Sequence, residues 1–168
     1  MPSVNDYLEL HKHFEFSYFL IALLEVSLRN QIPMILSQRR GGSGNSTWYS
    51  TLPLKKQGLS SLSYALRLNS SSPEEHLPFS FWRFLLSNRN YGQLWLPNLH
   101  NAFPHLSSPK TFNSFKAVDK SMDTSLRLRN NVAHYNLASI KNMKYSQESV
   151  IWLLANMGVK NDRLDSSY

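Results

Sequence analysis

Apolar positions recur at helical spacing along nearly the whole chain, and the elements they predict are all helices. Residues from about Asp6 to Leu36 read as one long helix or two in series. Within it, Tyr18 to Leu28 is apolar nearly all round, which predicts burial on several sides. Pro33 removes the hydrogen bond to the Arg29 carbonyl and should kink or end this helix. Leu54 to Leu68 reads as a second helix with Leu59, Leu62, Leu66 and Tyr64 turned inward. Ser72-Pro73-Glu74-Glu75 has the composition of a helix start: a capping serine, proline at the first position and acids in the first turn. Pro78 leaves room for only a short turn before another helix begins at Phe79. Phe79 to Ser87 and Tyr91 to Phe103 follow, with Phe81, Trp82, Leu85, Leu94, Trp95 and Leu99 as core candidates.

The longest amphipathic segment opens at Ser108-Pro109 and runs to His134. Phe112, Phe115, Met122 and Leu126 recur at three- or four-residue steps and should line its buried face. Lys116, Lys120, Asp123 and Arg127 occupy another face, with Asp123 four residues before Arg127 in the favourable order for an ion pair. A last helix is expected from Ser146-Gln147-Glu148 through Val150, Ile151, Leu153, Leu154 and Met157, and Gly158 suits its stop. No period-2 strand and no internal repeat is visible. The expected fold is all-α, with an antiparallel core made mainly from the early helix and the 108–134 helix.

The length of 168 residues suits one domain with a single core. Ser37 to Thr47 carries three glycines and no apolar side chain, so it reads as a flexible loop, and the tail from about 160 to 168 reads as loose. The glycines lack the spacing of a phosphate-binding loop. The chain has 18 Lys and Arg against 11 Asp and Glu, a formal net charge of +7. That balance favours a polyanionic partner, nucleic acid ahead of an anionic membrane surface. The absence of cysteine excludes disulfide and thiolate chemistry and is compatible with the cytoplasm. Asp6, Glu9 and Glu15 spoil a signal peptide, and the run from Phe16 to Leu28 is too short to span a bilayer, so no membrane role is expected.

Candidate chemistry concentrates in Arg129-Asn130-Asn131-Val132-Ala133-His134. Arg129, Asn130 and His134 arrive where the apolar stripe should continue. Asn130 and His134 lie four apart and share a face. Arg129 and His134 lie five apart, roughly 140° around a straight helix. A site needing both fits best if the helix frays at its end, or if two copies meet across a symmetric contact. A histidine exchanges protons near neutral pH, an arginine presents a charged fork to phosphate, and an asparagine can orient the imidazole or the phosphate. Those are the three types that metal-independent RNA cleavage requires. Glu25 and Arg29, four apart inside an apolar context, read either as a helix-surface ion pair or as a polar pair beside the active centre. Arg39, Arg40, Lys55, Lys56, Arg83 and Arg89 are candidate contacts to RNA backbone, and Trp82 and Tyr91 beside their arginines could stack on bases or fill the core. His11, His13, His76, His100 and His105 are scattered, and no metal-ligand set or cofactor motif is legible.

Arg129-Asn130 with His134 resembles the Arg-polar-spacer-His motif of HEPN domains, an all-helical family that includes many metal-independent ribonucleases. Leu24-Glu25-Val26-Ser27-Leu28-Arg29-Asn30 resembles a narrower group, the Abi-like (abortive infection) HEPN proteins, as does the stretch from Phe79-Ser80-Phe81-Trp82 through Leu94-Trp95 to Ala102-Phe103-Pro104. The three matches come in the family's order, although Pro78 and Tyr135 stand where the family more often has other residues. The resemblance implies a single HEPN-like helical bundle acting as a homodimer. It implies an endoribonuclease that leaves 2′,3′-cyclic phosphate and 5′-hydroxyl ends, in phage defence or as a toxin held by an antitoxin or another regulatory protein. Arg129, Asn130 and His134 would be catalytic, with Glu25, Arg29 and Tyr135 in support. The alternative is a non-catalytic HEPN-like module that binds RNA or protein through the same helices.

Overall fold

The computed structural model describes residues 4–38, 47–134 and 142–160. It is all-α: six α-helices and one π-helical segment, two 3₁₀ turns and no strand among the described residues. The α-helices are α1 (Val4–Gln38), α2 (Lys56–Leu68), α3 (Phe79–Leu85), α4 (Leu99–Ala102), α5 (Phe112–Ala133) and α6 (Met143–Asn156). The 3₁₀ turns cover Pro73–His76 and Asn88–Asn90, and the π segment covers Tyr91–Trp95. Residues 39–46 and 161–168, most of the expected loop and tail, lie outside the described residues.

The buried residues form one cluster. Its most extensive packing is α5 on α6, with α1 lying against both. The last helix therefore shares the centre that the apolar pattern assigns mainly to the first and the fifth. Gln147 of α6 shows how closely it seats: it is buried, and its amide donates to Ser17 Oγ at 2.9 Å and to the His13 carbonyl at 3.2 Å across on α1. Phe81, Trp82, Leu85, Leu94, Trp95 and Leu99 are all buried, as expected. Trp82 stacks on Trp48 at 5.9 Å, and the Trp95 indole donates to the Leu85 carbonyl at 2.6 Å. Burial of that ring without a partner for its N–H would cost about 1–3 kcal/mol.

Several boundaries differ from expectation for local reasons. α1 continues through Pro33 to Gln38, because Ile35 and Leu36 beyond the proline are buried and hold the last turn to the core. α5 begins at Phe112 and not at Ser108-Pro109: Thr111 caps it by accepting from the Ser114 N–H at 3.2 Å. Ser72 makes no capping bond, and the segment it opens is a single 3₁₀ turn ended before Pro78. In α2 the inward face is Leu62 and Ala65, while Leu59 and Tyr64 are exposed.

The largest departure concerns α1. Leu20, Leu24, Leu28 and Ile32 are buried, but Tyr18, Ala22 and Val26 are exposed along the opposite side, Tyr18 by 65%. An apolar sequence was expected to be covered all round, and one stripe of it has no cover among the described residues. By length and composition His11–Gln38 would also suffice to cross a membrane, with 39% of its most apolar window buried in the fold. The helix is continuous over that range, which the shorter run from Phe16 to Leu28 did not suggest.

Candidate active site

α5 carries the candidate motif at its C-terminal end. Phe115, Val118, Met122, Ser125, Leu128 and Val132 form its buried stripe. Ser125 sits in that stripe by donating its hydroxyl to the Ser121 carbonyl at 2.7 Å. The stripe therefore runs on through Leu128 and Val132. Arg129, Asn130 and His134 flank it and do not interrupt it, contrary to expectation. Phe112 also leaves the stripe: it is exposed at the first turn, with Tyr91 against it at 5.0 Å and the Lys116 ammonium at 5.3 Å from its ring.

Arg129 is exposed and turned toward α1. A groove of about 150 Å³ lies there, lined by Tyr18, Ala22 and Glu25 on one side and by Arg129, Val132 and Ala133 on the other. A neighbouring hollow of about 360 Å³ shares Tyr18 and Val132 and adds His11 and Glu15. Glu25 pairs with Arg29 at 3.2 Å, each side chain 26% exposed. Arg29 Nε is buried with no hydrogen-bond partner among the described residues. The fold thus brings Glu25 to Arg129 across the groove and ties Arg29 in behind Glu25. Tyr135, the third expected supporting residue, lies outside the described residues.

The Asn130 side chain was expected to orient the imidazole or the phosphate. It instead accepts from Arg129 Nη1 at 3.3 Å. His134 is linked to Asn130 only through the main chain, its N–H donating to the Asn130 carbonyl at 3.1 Å. With φ −105° and ψ 9°, His134 is the residue at which the chain leaves the helix, and its ring is exposed. Arg129 faces the groove, and His134 is not part of its lining. All three motif residues are exposed at one helix end, where Arg129 lines the groove and Asn130 and His134 do not.

The candidate RNA contacts divide. Lys55, Arg83 and Arg89 line an open cleft of about 410 Å³ between α2 and α3. Lys56 is exposed beside it, and Arg39 and Arg40 lie outside the described residues. Arg83 is largely spoken for: it donates to Asp119 at 2.6 Å and to Asp123 at 3.4 Å on α5, and Asp123 also takes Arg127 at 2.6 Å. Nothing in local spacing signals the Arg83–Asp119 pair, because its members are 36 residues apart. Trp82 is fully buried, which removes it as a surface for bases, and Tyr91 is half-buried against Phe112 and Phe115. His11, His13, His76, His100 and His105 are exposed, and no group of three His, Asp or Glu that could hold a metal occurs among the described residues.

Comparison of the chain with protein-family models, with curated proteins and with solved structures gives no match.

Proposed function

We propose that the chain is a metal-independent endoribonuclease of the HEPN type, assembled as a homodimer in the cytoplasm and used in phage defence or as a toxin under a regulatory partner. The observation that carries this reading is the end of α5, where Arg129, Asn130 and His134 are all exposed and Arg129 faces Glu25 across a groove. An exposed guanidinium is free to neutralise charge on a phosphorane, and an exposed imidazole is free to exchange protons with RNA. The motif resemblance and the basic composition support the same assignment.

The chemistry balances with two histidines. One His134 takes the proton from the 2′-hydroxyl, whose oxygen attacks phosphorus. The bond from phosphorus to the 5′-oxygen breaks, and a second imidazolium gives that oxygen a proton. Arg129 stabilises the equatorial oxygens in between. One protomer carries one such histidine in the motif, so the site is composite, with the second supplied by a second copy. The uncovered stripe of Tyr18, Ala22 and Val26 borders the groove that holds Arg129, which makes it the natural seat for that copy.

A second reading is a non-catalytic module binding RNA or protein. One observation favours it: Arg129 lines a groove whose lining does not include His134. Incubating purified protein with end-labelled RNA in EDTA separates the two. The nuclease reading predicts fragments ending in 2′,3′-cyclic phosphate and beginning with 5′-hydroxyl. Intact RNA at enzyme excess favours the binding module.

A further inference from the structure

The cleft between α2 and α3 has a lining chemistry of its own. Three cations border it, Lys55, Arg83 and Arg89, and no carboxylate does. Arg83 has its charge committed to Asp119 and Asp123, whereas Lys55 and Arg89 are exposed and enter no ion pair among the described residues. Ser61, Ser80 and Ser87 also line the cleft. Phe84 supplies a half-buried aromatic wall.

Gly58 forms part of the α2 side. Glycine inside a helix costs about 0.5–1 kcal/mol relative to alanine, so its presence in α2 asks for a reason. The nearest atoms a Cβ would meet there all belong to Leu54, the closest being its Cδ2 tip at 3.2 Å. Glycine leaves this part of the lining without a side chain.

We propose that this cleft binds a nucleoside phosphate, with the phosphate between Lys55 and Arg89 and the base against Phe84. The volume of about 410 Å³ falls within the range of small-molecule sites. Guanidinium and ammonium groups recognise phosphate, hydroxyls complete its hydrogen bonds, and a phenyl face accepts any base by stacking. The occupant is either a free nucleotide or one nucleotide unit of an RNA strand. The site deepens the RNA-binding half of the function proposed above, but its residues are not those of the α5 motif.

The test is equilibrium binding to the full-length protein. The probes are adenosine and uridine 5′-monophosphates, the matching nucleosides, and a labelled 2′-O-methyl strand that cannot be cleaved. Both monophosphates should bind and the nucleosides should not. Lys55→Ala and Arg89→Ala should each weaken the monophosphates by about tenfold to a hundredfold, since a hydrogen bond to a charged group contributes about 1.5–3 kcal/mol. Gly58→Leu adds bulk without removing charge, and it should abolish binding while the circular dichroism melt stays within a few degrees. Phe84→Leu should weaken binding with charge intact.

If strand and monophosphate compete, the occupant is a unit of RNA; if both bind without competition, it is a free nucleotide. Either result supports the site. Monophosphate binding that survives in a folded Gly58→Leu protein, or a strand that binds where monophosphates do not, overturns it as mere surface attraction. RNA cleavage lost in His134→Ala would stand in that case, so the two proposals fail separately.

Discussion

The same substitution, glycine to alanine, should have opposite effects at two positions of this chain, and the backbone decides the sign. Gly158 has φ of +77°, the left-handed region. It follows α6 in a Schellman closure: its N–H donates to the Ala155 carbonyl at 3.0 Å, and the Val159 N–H donates to the Leu154 carbonyl at 3.0 Å. A Cβ on Gly158 incurs roughly 1–2 kcal/mol of left-handed strain. It would also stand 3.2 Å from His105 Nε2, which must give way. Lower entropy of the unfolded chain returns about 0.4–1 kcal/mol. With the displacement of His105 added, the net loss is roughly 0.5–1.5 kcal/mol, a fall in Tm of roughly 1–6 °C for a chain of this size. Gly58 lies within α2 and has no such φ. There alanine gains up to about 0.5–1 kcal/mol, trimmed by contact with the flexible Leu54 tip. Urea unfolding followed by circular dichroism, with unchanged m-value, measures both. If Gly158→Ala is neutral or stabilising, the left-handed closure of α6 is wrong.

Tyr18→Glu should break the proposed homodimer and RNA cleavage together, raising the dimer Kd roughly a hundredfold or more by placing a charge in the apolar stripe that the second copy would bury; light scattering showing an intact, active dimer would refute the α1 interface. Arg83→Met should destabilise the protein by about 1–3 kcal/mol, because it strands Asp119, which is 15% exposed, whereas Arg127→Ala, at a residue 77% exposed, should stay within about 0.5 kcal/mol; equal chemical-denaturation midpoints for the two would show that the α3–α5 pair carries nothing special. RNA affinity should fall steeply between low and physiological salt as counterions are released, and a flat salt titration would contradict binding through the basic surface.

The elements were legible where burial and local chemistry agree. The aromatic run of α3, the stop of α6 at Gly158 and the favourable Glu25–Arg29 and Asp123–Arg127 spacings are all found in the structure. What escaped the sequence depends on partners distant along the chain. Leu128 and Val132 continue the buried stripe, yet only the position of α1 and α6 shows that they, and not Arg129, face inward. Thr111 outcompetes Ser108 as the cap because its hydroxyl reaches the Ser114 N–H, a choice of register that composition leaves open. An exposed apolar side on α1 has the same composition as a buried one, so no periodicity could distinguish Tyr18 from Leu20. For the candidate site, the residue types at the end of α5 were readable. The bond from Arg129 to Asn130 and the groove with Glu25 required the fold.

Single-turnover cleavage of labelled RNA by wild type and by His134→Ala, in EDTA and with circular dichroism as the folding control, tests the central claim most directly. The account predicts a loss of about 10²- to 10⁴-fold for His134→Ala, the usual contribution of a positioned acid–base group. Arg129→Ala should lose about 10²- to 10³-fold, as expected for a donor that stabilises developing charge. The double substitution should lose far less than the product of the two, since both groups serve one transition state. Asn130→Ala should be milder, acting through the guanidinium it holds. A folded His134→Ala protein that cleaves as fast as wild type would contradict the account and leave the binding module in its place.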